Sequence, residues 1–173
     1  MSVYNLPGTR SKGDEKLKHP PAVTQLEIRY QDLDPYGHVN NAVYLEFFES
    51  IRFAYWRALA HLVGIDELEA GDVPGARYVI AETTVRYKVP IFLEDTLHGA
   101  ASIPTVGNRS YAMDFELRTG ETFEEGRGVA EGFAAQVFFD PKTDEVIPRP
   151  DWFLPAVAKL EGRPEESFVP EKD

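Results

Sequence analysis

The stretch Gln31–Arg52, QDLDPYGHVNNAVYLEFFESIR, contains the change of period that decides the fold. Its first eleven residues hold Pro35 and Gly37, which fix a turn, then Asn40 and Asn41, either of which suits a helix N-cap. From Asn41 to about Val63 the apolar residues step by three or four. Tyr44, Phe48, Ile51, Tyr55, Leu59 and Leu62 form one stripe, and Val43, Phe47, Ala54 and Ala58 a second beside it. So wide an apolar arc predicts a helix buried over much of its circumference and about 34 Å long, at ~1.5 Å per residue. A long, nearly engulfed helix suits a sheet that wraps around it.

On the N-terminal side, Thr24 to Tyr30 alternates, with Leu26, Ile28 and Tyr30 on one face and Gln25, Glu27 and Arg29 on the other. That is a half-buried strand. On the C-terminal side, past a loop with Gly64, Gly71 and Pro74-Gly75, come four more strand patterns: Tyr78–Val89, Thr96–Val106, Arg109–Arg118 and Gly128–Phe139. The third alternates without a fault, Tyr111, Met113, Phe115 and Leu117 against Ser110, Ala112, Asp114 and Glu116. The run Trp152 to Leu160 reads as a short helix. The order predicts an α+β fold, a five-stranded antiparallel sheet around one central helix, in which the last four strands form a meander joined by the first. One domain spans residues 23–153, with a flexible arm at 1–22, ending in Pro20-Pro21, and a tail at 154–173.

Composition narrows the function. The chain has 173 residues, a formal net charge of −11 and no cysteine. The missing cysteines exclude disulfides, thiolate metal sites and a cysteine nucleophile, and fit a reducing compartment. The N-terminus lacks the apolar stretch of a signal peptide, and no apolar run nears the roughly 18 residues that span a bilayer. A cytoplasmic protein with no membrane partner is expected. The charge disfavours nucleic acid, which needs clustered cations. It leaves room for a small anionic ligand such as coenzyme A, held by a few of Arg86, Lys88, Arg109 and Arg127, although each also reads as a solvated strand residue.

The turn before the long helix is the candidate site. A helix start offers unpaired N–H groups and the positive end of the macrodipole, which bind a carbonyl oxygen that becomes anionic. A carboxylate one short loop away could activate water or attack the acyl carbon. Asp34 and the Asn41 amide make such a pair. No G-x-S-x-G elbow, phosphate-cradling glycine loop or His/Cys cluster competes with it, and no metal or cofactor is expected. The same Asp, Pro, Gly and Asn residues also serve any strand-to-helix connection, so a purely structural reading stands beside the catalytic one.

Arg29-Tyr30, Asp32-Leu33-Asp34, Gly37-His38-Val39-Asn40-Asn41, Tyr44, Phe48-Glu49 and Arg52 resemble the signature of the 4-hydroxybenzoyl-CoA thioesterase-like family of hotdog proteins. Tyr87-Lys88-Val89-Pro90 with Glu94-Asp95, Asn108-Arg109-Ser110 and Ile147-Pro148 look like its later landmarks, so the likeness runs from about Leu26 to Trp152. It implies a hotdog fold and an acyl-CoA thioesterase in which coenzyme A belongs to the substrate. Asp34 matches the family's catalytic aspartate, Asn41 the amide that polarises the thioester carbonyl, and His38 and Asn40 positions that shape the site. The hydroxybenzoyl-specific enzyme is apolar where this chain has His-Val-Asn-Asn, which favours the general acyl-CoA or acyl-carrier-protein branch.

The resemblance also implies homodimers, or dimers of dimers, whose sheets join edge to edge and whose active sites draw on both subunits. Tyr36, Glu49 and Arg109 are candidate substrate contacts. Asp32 and Glu49 are the alternative carboxylates, although Glu49 also stands at i, i+3 from Arg52 as an ordinary ion pair. Tyr36 and Trp56 could line an acyl channel, with core packing the other reading of Trp56. His61 and His98 read as ordinary surface or strand residues. A non-catalytic acyl-thioester sensor is the alternative function. A hotdog dehydratase pairs Asp and His differently and finds no match.

Overall fold

The computed structural model describes residues 17, 20–64 and 77–169. The elements run β1 (Ala22–Leu26), α1 (Val43–Leu62), β2 (Tyr78–Tyr87), β3 (Leu97–Ser102), β4 (Ser110–Thr119), β5 (Arg127–Asp140), β6 (Glu145–Val146) and α2 (Phe153–Glu161). Short 3-10 turns occupy Tyr30–Asp32 and Glu165–Phe168. Most of the arm expected at 1–22, and the loop at 65–76, lie outside the described residues. No described helix is long and apolar enough to cross a membrane.

The sheet is antiparallel, in the order β1-β3-β4-β5-β2, with β6 pairing the end of β5. It wraps α1 as a hotdog fold should. Two details differ from the expected five-stranded meander. Only β3, β4 and β5 form a meander, because β2 crosses to the far side of β5 and becomes the edge opposite β1. A sixth, two-residue strand, β6, also closes a hairpin on β5.

The first strand also ends early. The Asp32 carboxylate accepts the Arg29 backbone N–H at 2.8 Å and the next turn is 3-10, so Tyr30 leaves the buried face and stands 82% exposed.

The inner face of the sheet is cut to fit the helix. Phe48 stacks on Phe115 at 4.7 Å between ring centroids and lies over Gly132, where an added Cβ would come within 2.2 Å of its ring. Ile51 crowds Gly99 in the same way, at 2.4 Å. Only hydrogen fits at either position. The helix foreseen in the tail closes the bottom of this core: Phe153 packs against Trp56, Tyr111 and Phe138 at 5.6, 5.1 and 5.0 Å. Glu161 at its end accepts from Tyr55 Oη (2.8 Å), Ser102 Oγ (2.9 Å) and the Ile103 N–H (2.7 Å), tying α2 to α1 and β3.

The outer face carries charge where the alternation of β4 put it, but not in solvent. Glu116 and Arg118 are buried and pair at 2.8 Å. The Leu17 N–H donates to Glu116 Oε2 at 3.0 Å, and Arg118 donates to the Phe123 carbonyl at 2.9 Å. Two residues before Glu116 on the same strand, Asp114 lacks such help. Burial, then the charges of Glu131 and Glu161, push its carboxyl up to about 6. A raised carboxyl favours the fold while protonated and penalises it as pH rises through about 6. Asp114→Asn should therefore stabilise the protein at pH 8, by on the order of 1–2 kcal/mol, and make no difference near pH 4. Denaturant melts at the two pH values check this; equal gains at both would refute it.

Candidate active site

The loop that precedes α1 is a small hairpin. The Asp34 N–H donates to the His38 carbonyl at 2.9 Å, and the Gly37 N–H to the Asp34 carbonyl at 3.0 Å. Between them Pro35 enters the turn and Gly37 leaves it at φ +83°, the left-handed residue a three-residue hairpin loop requires. Asp34 and His38 are thus the closing pair of the hairpin, and closing pairs project to one side. Their side chains meet, His38 Nδ1 to Asp34 Oδ2, at 3.1 Å. The other carboxylate oxygen accepts the Tyr36 N–H at 2.9 Å. Asp34 is thereby fixed at both oxygens yet 16% exposed, with His38 33% exposed beside it.

The second arm of the hairpin is held by the segment after Pro90. The Val39 N–H donates to the Ile91 carbonyl at 2.8 Å, and His38 forms a β-bridge with Phe92. The Asn40 N–H donates back to the Asp32 carbonyl at 2.8 Å. Asn40 makes the turn that leads into the helix: its Oδ1 accepts the Ala42 N–H (2.9 Å) and its carbonyl the Val43 N–H (3.0 Å). Neither expected asparagine is the N-cap of α1, which is Ala42 with no side-chain cap. That leaves the Asn41 N–H with no acceptor among the described residues, at the positive end of α1. The Asn41 carbonyl accepts from Tyr87 Oη at 3.1 Å, and Tyr87 packs edge-on to Tyr44 at 4.8 Å.

The rival carboxylates are otherwise engaged. Asp32 is buried and gripped by Arg29, whose Nη2 lies 2.8 Å from Oδ1 and 3.2 Å from Glu46. Burial pushes the Asp32 carboxyl up, but the Arg29 side-chain and backbone hydrogen bonds and the Arg29 charge outweigh it and hold the carboxyl below its ordinary value. Glu49 is 60% exposed and pairs with the buried Arg52. Arg52 in turn lies over Phe115 at 5.4 Å and, with the Gln136 amide turned to the orientation that satisfies both its ends, donates from Nε to the amide oxygen at 3.2 Å. Glu49 also lies near enough to Tyr78 and Tyr111 to raise their hydroxyl pKa, behind burial as the main cause. It therefore stands about two turns along α1 from Asn41, beside Tyr78 and Tyr111.

The remaining candidates divide. Tyr36 is exposed and stacks on His38, centroids 6.1 Å apart, at the rim of the site. Trp56 is core: it donates to Tyr111 Oη at 3.2 Å and stacks on Tyr78. Arg109, at the start of β4, bonds through its carbonyl to the Phe138 N–H at the end of the sheet away from Asp34. It is not brought to the hairpin within one protomer. Tyr87 and Phe92 join the site without any local signal in the sequence, since their contacts depend on where β2 runs. No group of three His, Asp or Glu side chains among the described residues could hold a metal ion.

Comparison with known proteins gives this geometry a setting. The model of the thioesterase-like superfamily matches residues 28–157. The chain is 30% identical over 124 residues to the long-chain acyl-CoA thioesterase FadM of Escherichia coli, covering 72% of this chain and 87% of that protein. It resembles the crystal structure of a Thermus thermophilus thioesterase complexed with coenzyme A and Zn, with a TM-score of 0.69 and 30% identity over 84% of this chain and 97% of that one. The probable thioesterase YbaW of Escherichia coli superposes with a TM-score of 0.63 at 25% identity, over 80% and 98% of the two chains.

Proposed function

Because this chain belongs to the thioesterase-like superfamily, we propose that it hydrolyses acyl-CoA thioesters at the Asp34 hairpin. The observation that carries the reading is the pairing of a fixed, partly exposed Asp34 carboxylate with the unoccupied Asn41 N–H one short loop away. The thioester carbonyl oxygen accepts from that N–H. A water gives a proton to Asp34 as its oxygen attacks the acyl carbon, and the carbonyl electrons move onto the oxygen. Collapse expels the coenzyme A thiolate, which takes up the proton, leaving the carboxylic acid. Attack by Asp34 itself, through an anhydride that water opens, uses the same groups. One preorganised donor at the oxyanion contributes roughly 10²–10³ in rate. His38 and Tyr36 hold the carboxylate in one orientation for either route.

The oligomer follows from the sheet edges. β1 is a five-residue edge, whereas β2 is ten residues long and exposes Val79, Ile80 and Tyr87. A long edge with apolar side chains is a hazard when left open. A second copy of β2 across a twofold axis covers it, and Tyr87 Oη already touches Asn41 at that edge. The active form is a homodimer with its sites at the shared edge.

The test is release of free thiol from a panel of aliphatic and aromatic acyl-CoAs. Turnover with at least one member is expected. Tight binding of acyl-CoA with no thiol released would instead make the protein a sensor.

A further inference from the structure

One run of chain, Tyr87–Phe92, reaches both halves of the proposed site. Tyr87 is the last residue of β2. The Lys88 and Val89 N–H groups both donate to the Val129 carbonyl, at 2.9 and 3.1 Å, so the chain leaves the strand tied to β5. It then reaches the hairpin, where the Ile91 carbonyl accepts the Val39 N–H and Phe92 bridges to His38. The start of α1 is reached by a side chain instead: Tyr87 Oη donates to the Asn41 carbonyl at 3.1 Å.

That hydroxyl is the one donor to the Asn41 carbonyl among the described residues. α1 begins at Val43, so Asn41 lies outside the helical ladder. The Leu45 N–H, four residues on and its natural helical partner, donates to Ala42 at 3.2 Å. The peptide unit from Asn41 to Ala42 is thus held at two points, its N–H by Asn40 Oδ1 at 2.9 Å and its carbonyl by Tyr87. The unit before it carries the Asn41 N–H and is held by its carbonyl alone, on the Val43 N–H at 3.0 Å. Two rigid peptide planes meeting at one Cα aim each other through two soft dihedrals. Loss of the Tyr87 bond therefore loosens the aim of the N–H left open to a substrate.

At 46% exposure Tyr87 could turn its hydroxyl out into solvent. Its ring is braced instead. Tyr44, buried in the first turn of α1, meets it edge-on at 4.8 Å between centroids, a favoured aromatic geometry. Tyr44 stands three residues on from Asn41, so the brace and the bonded carbonyl belong to the same stretch of chain. We propose that Tyr87 is a positioning residue for the oxyanion site, its hydroxyl setting the aim of the Asn41 N–H. The run that anchors the Asp34 hairpin thereby also aims the amide opposite it. Tyr87 touches neither the attacking water nor the thioester; it acts through Asn41. The inference rests on the thioesterase reading of the hairpin.

The test is Tyr87→Phe in the intact protein, which keeps the ring and its contact with Tyr44 and removes the hydroxyl alone. With an acyl-CoA that the wild type turns over, kcat should fall about tenfold, part of the roughly 10²–10³ that one oxyanion donor contributes, with KM within twofold. The direct readout is the infrared carbonyl stretch of a bound acyl-CoA analogue with a methylene in place of the thioester sulfur, which cannot be hydrolysed. On the wild type that band should lie below its position in the free analogue, because the Asn41 N–H polarises the carbonyl. In Tyr87→Phe it should broaden and move back toward the free position. A bond that only staples α1 to the sheet would lower the melting temperature and leave kcat and the band alone. That result overturns the inference, as does a fall in kcat with the band unmoved. Loss of the wild-type oligomeric state in sedimentation, in step with kcat, overturns it too, because the effect would then lie at the exposed β2 edge. Failure of the thioesterase reading looks different. A wild type that lowers the band yet releases no thiol sinks hydrolysis, while the band of Tyr87→Phe still decides what aims Asn41. A wild type that leaves the band unmoved removes Asn41 as the donor, and the inference with it.

Discussion

Asp34→Asn should lower kcat for acyl-CoA hydrolysis by about 10²- to 10⁴-fold, the range expected for loss of a general base or nucleophile. The substitution is nearly isosteric. An asparagine Oδ1 can still accept the Tyr36 N–H that Asp34 now receives at 2.9 Å, and the hairpin bonds of Asp34 to His38 and Gly37 are made by the backbone. Structure and melting temperature should hardly move, while the group that takes the proton from water is gone. Steady-state kinetics beside circular dichroism measure both. Near wild-type kcat would remove Asp34 from the chemistry and point to another carboxylate. Asp32→Asn offers the contrast: that carboxylate is buried against Arg29, so its loss should be read first in stability, with activity following the fold. Glu49→Gln should disturb Arg52, the cation it pairs with.

The difference between Asp32 and Asp34 marks how far the sequence can be read. Two aspartates two positions apart look equivalent in an extended segment. The 3-10 turn at Tyr30–Asp32 breaks the extension and sends one inward to Arg29 and the other to His38. Asp-Pro-x-Gly-His declares a turn in its own letters, and the three-four step of Tyr44, Phe48 and Ile51 declares α1, because both signals are local. Where β2 goes is not local: its alternation is that of any strand, and nothing in it says that it pairs with β5 and not with β3. Every contact made by that crossover was therefore silent, including Tyr87 on Asn41 and Phe92 beside His38. The buried Glu116–Arg118 pair was hidden for a related reason, since alternation assigns a face but not what covers it.

The largest effect on stability is expected at a residue with no side chain. Gly132→Ala would bring a Cβ within 2.2 Å of the Phe48 ring, closer than any relaxation of the methyl alone can accommodate. Phe48 cannot swing away easily, because it is buried and stacked on Phe115. Either β5 or α1 must shift, at a cost of roughly 3 kcal/mol, the upper part of the range for overpacked cores. Phe48→Leu removes the obstructing ring, so the double variant should be more stable than Gly132→Ala alone, although each single change destabilises. Urea midpoints for the four proteins decide it: an unaffected Gly132→Ala, or strictly additive losses, would show that the contact is not tight. The same experiment reaches the active site. Phe48 lies on α1 two turns from Asn41, so a helix pushed off the sheet carries the Asn41 amide away from a hairpin that Ile91 and Phe92 anchor independently. In whatever fraction of Gly132→Ala stays folded, kcat should fall with KM little changed, and Phe48→Leu should restore it. Recovery of stability without recovery of kcat would mean that the spacing of Asp34 and Asn41 is set elsewhere than by the seat of α1 on β5.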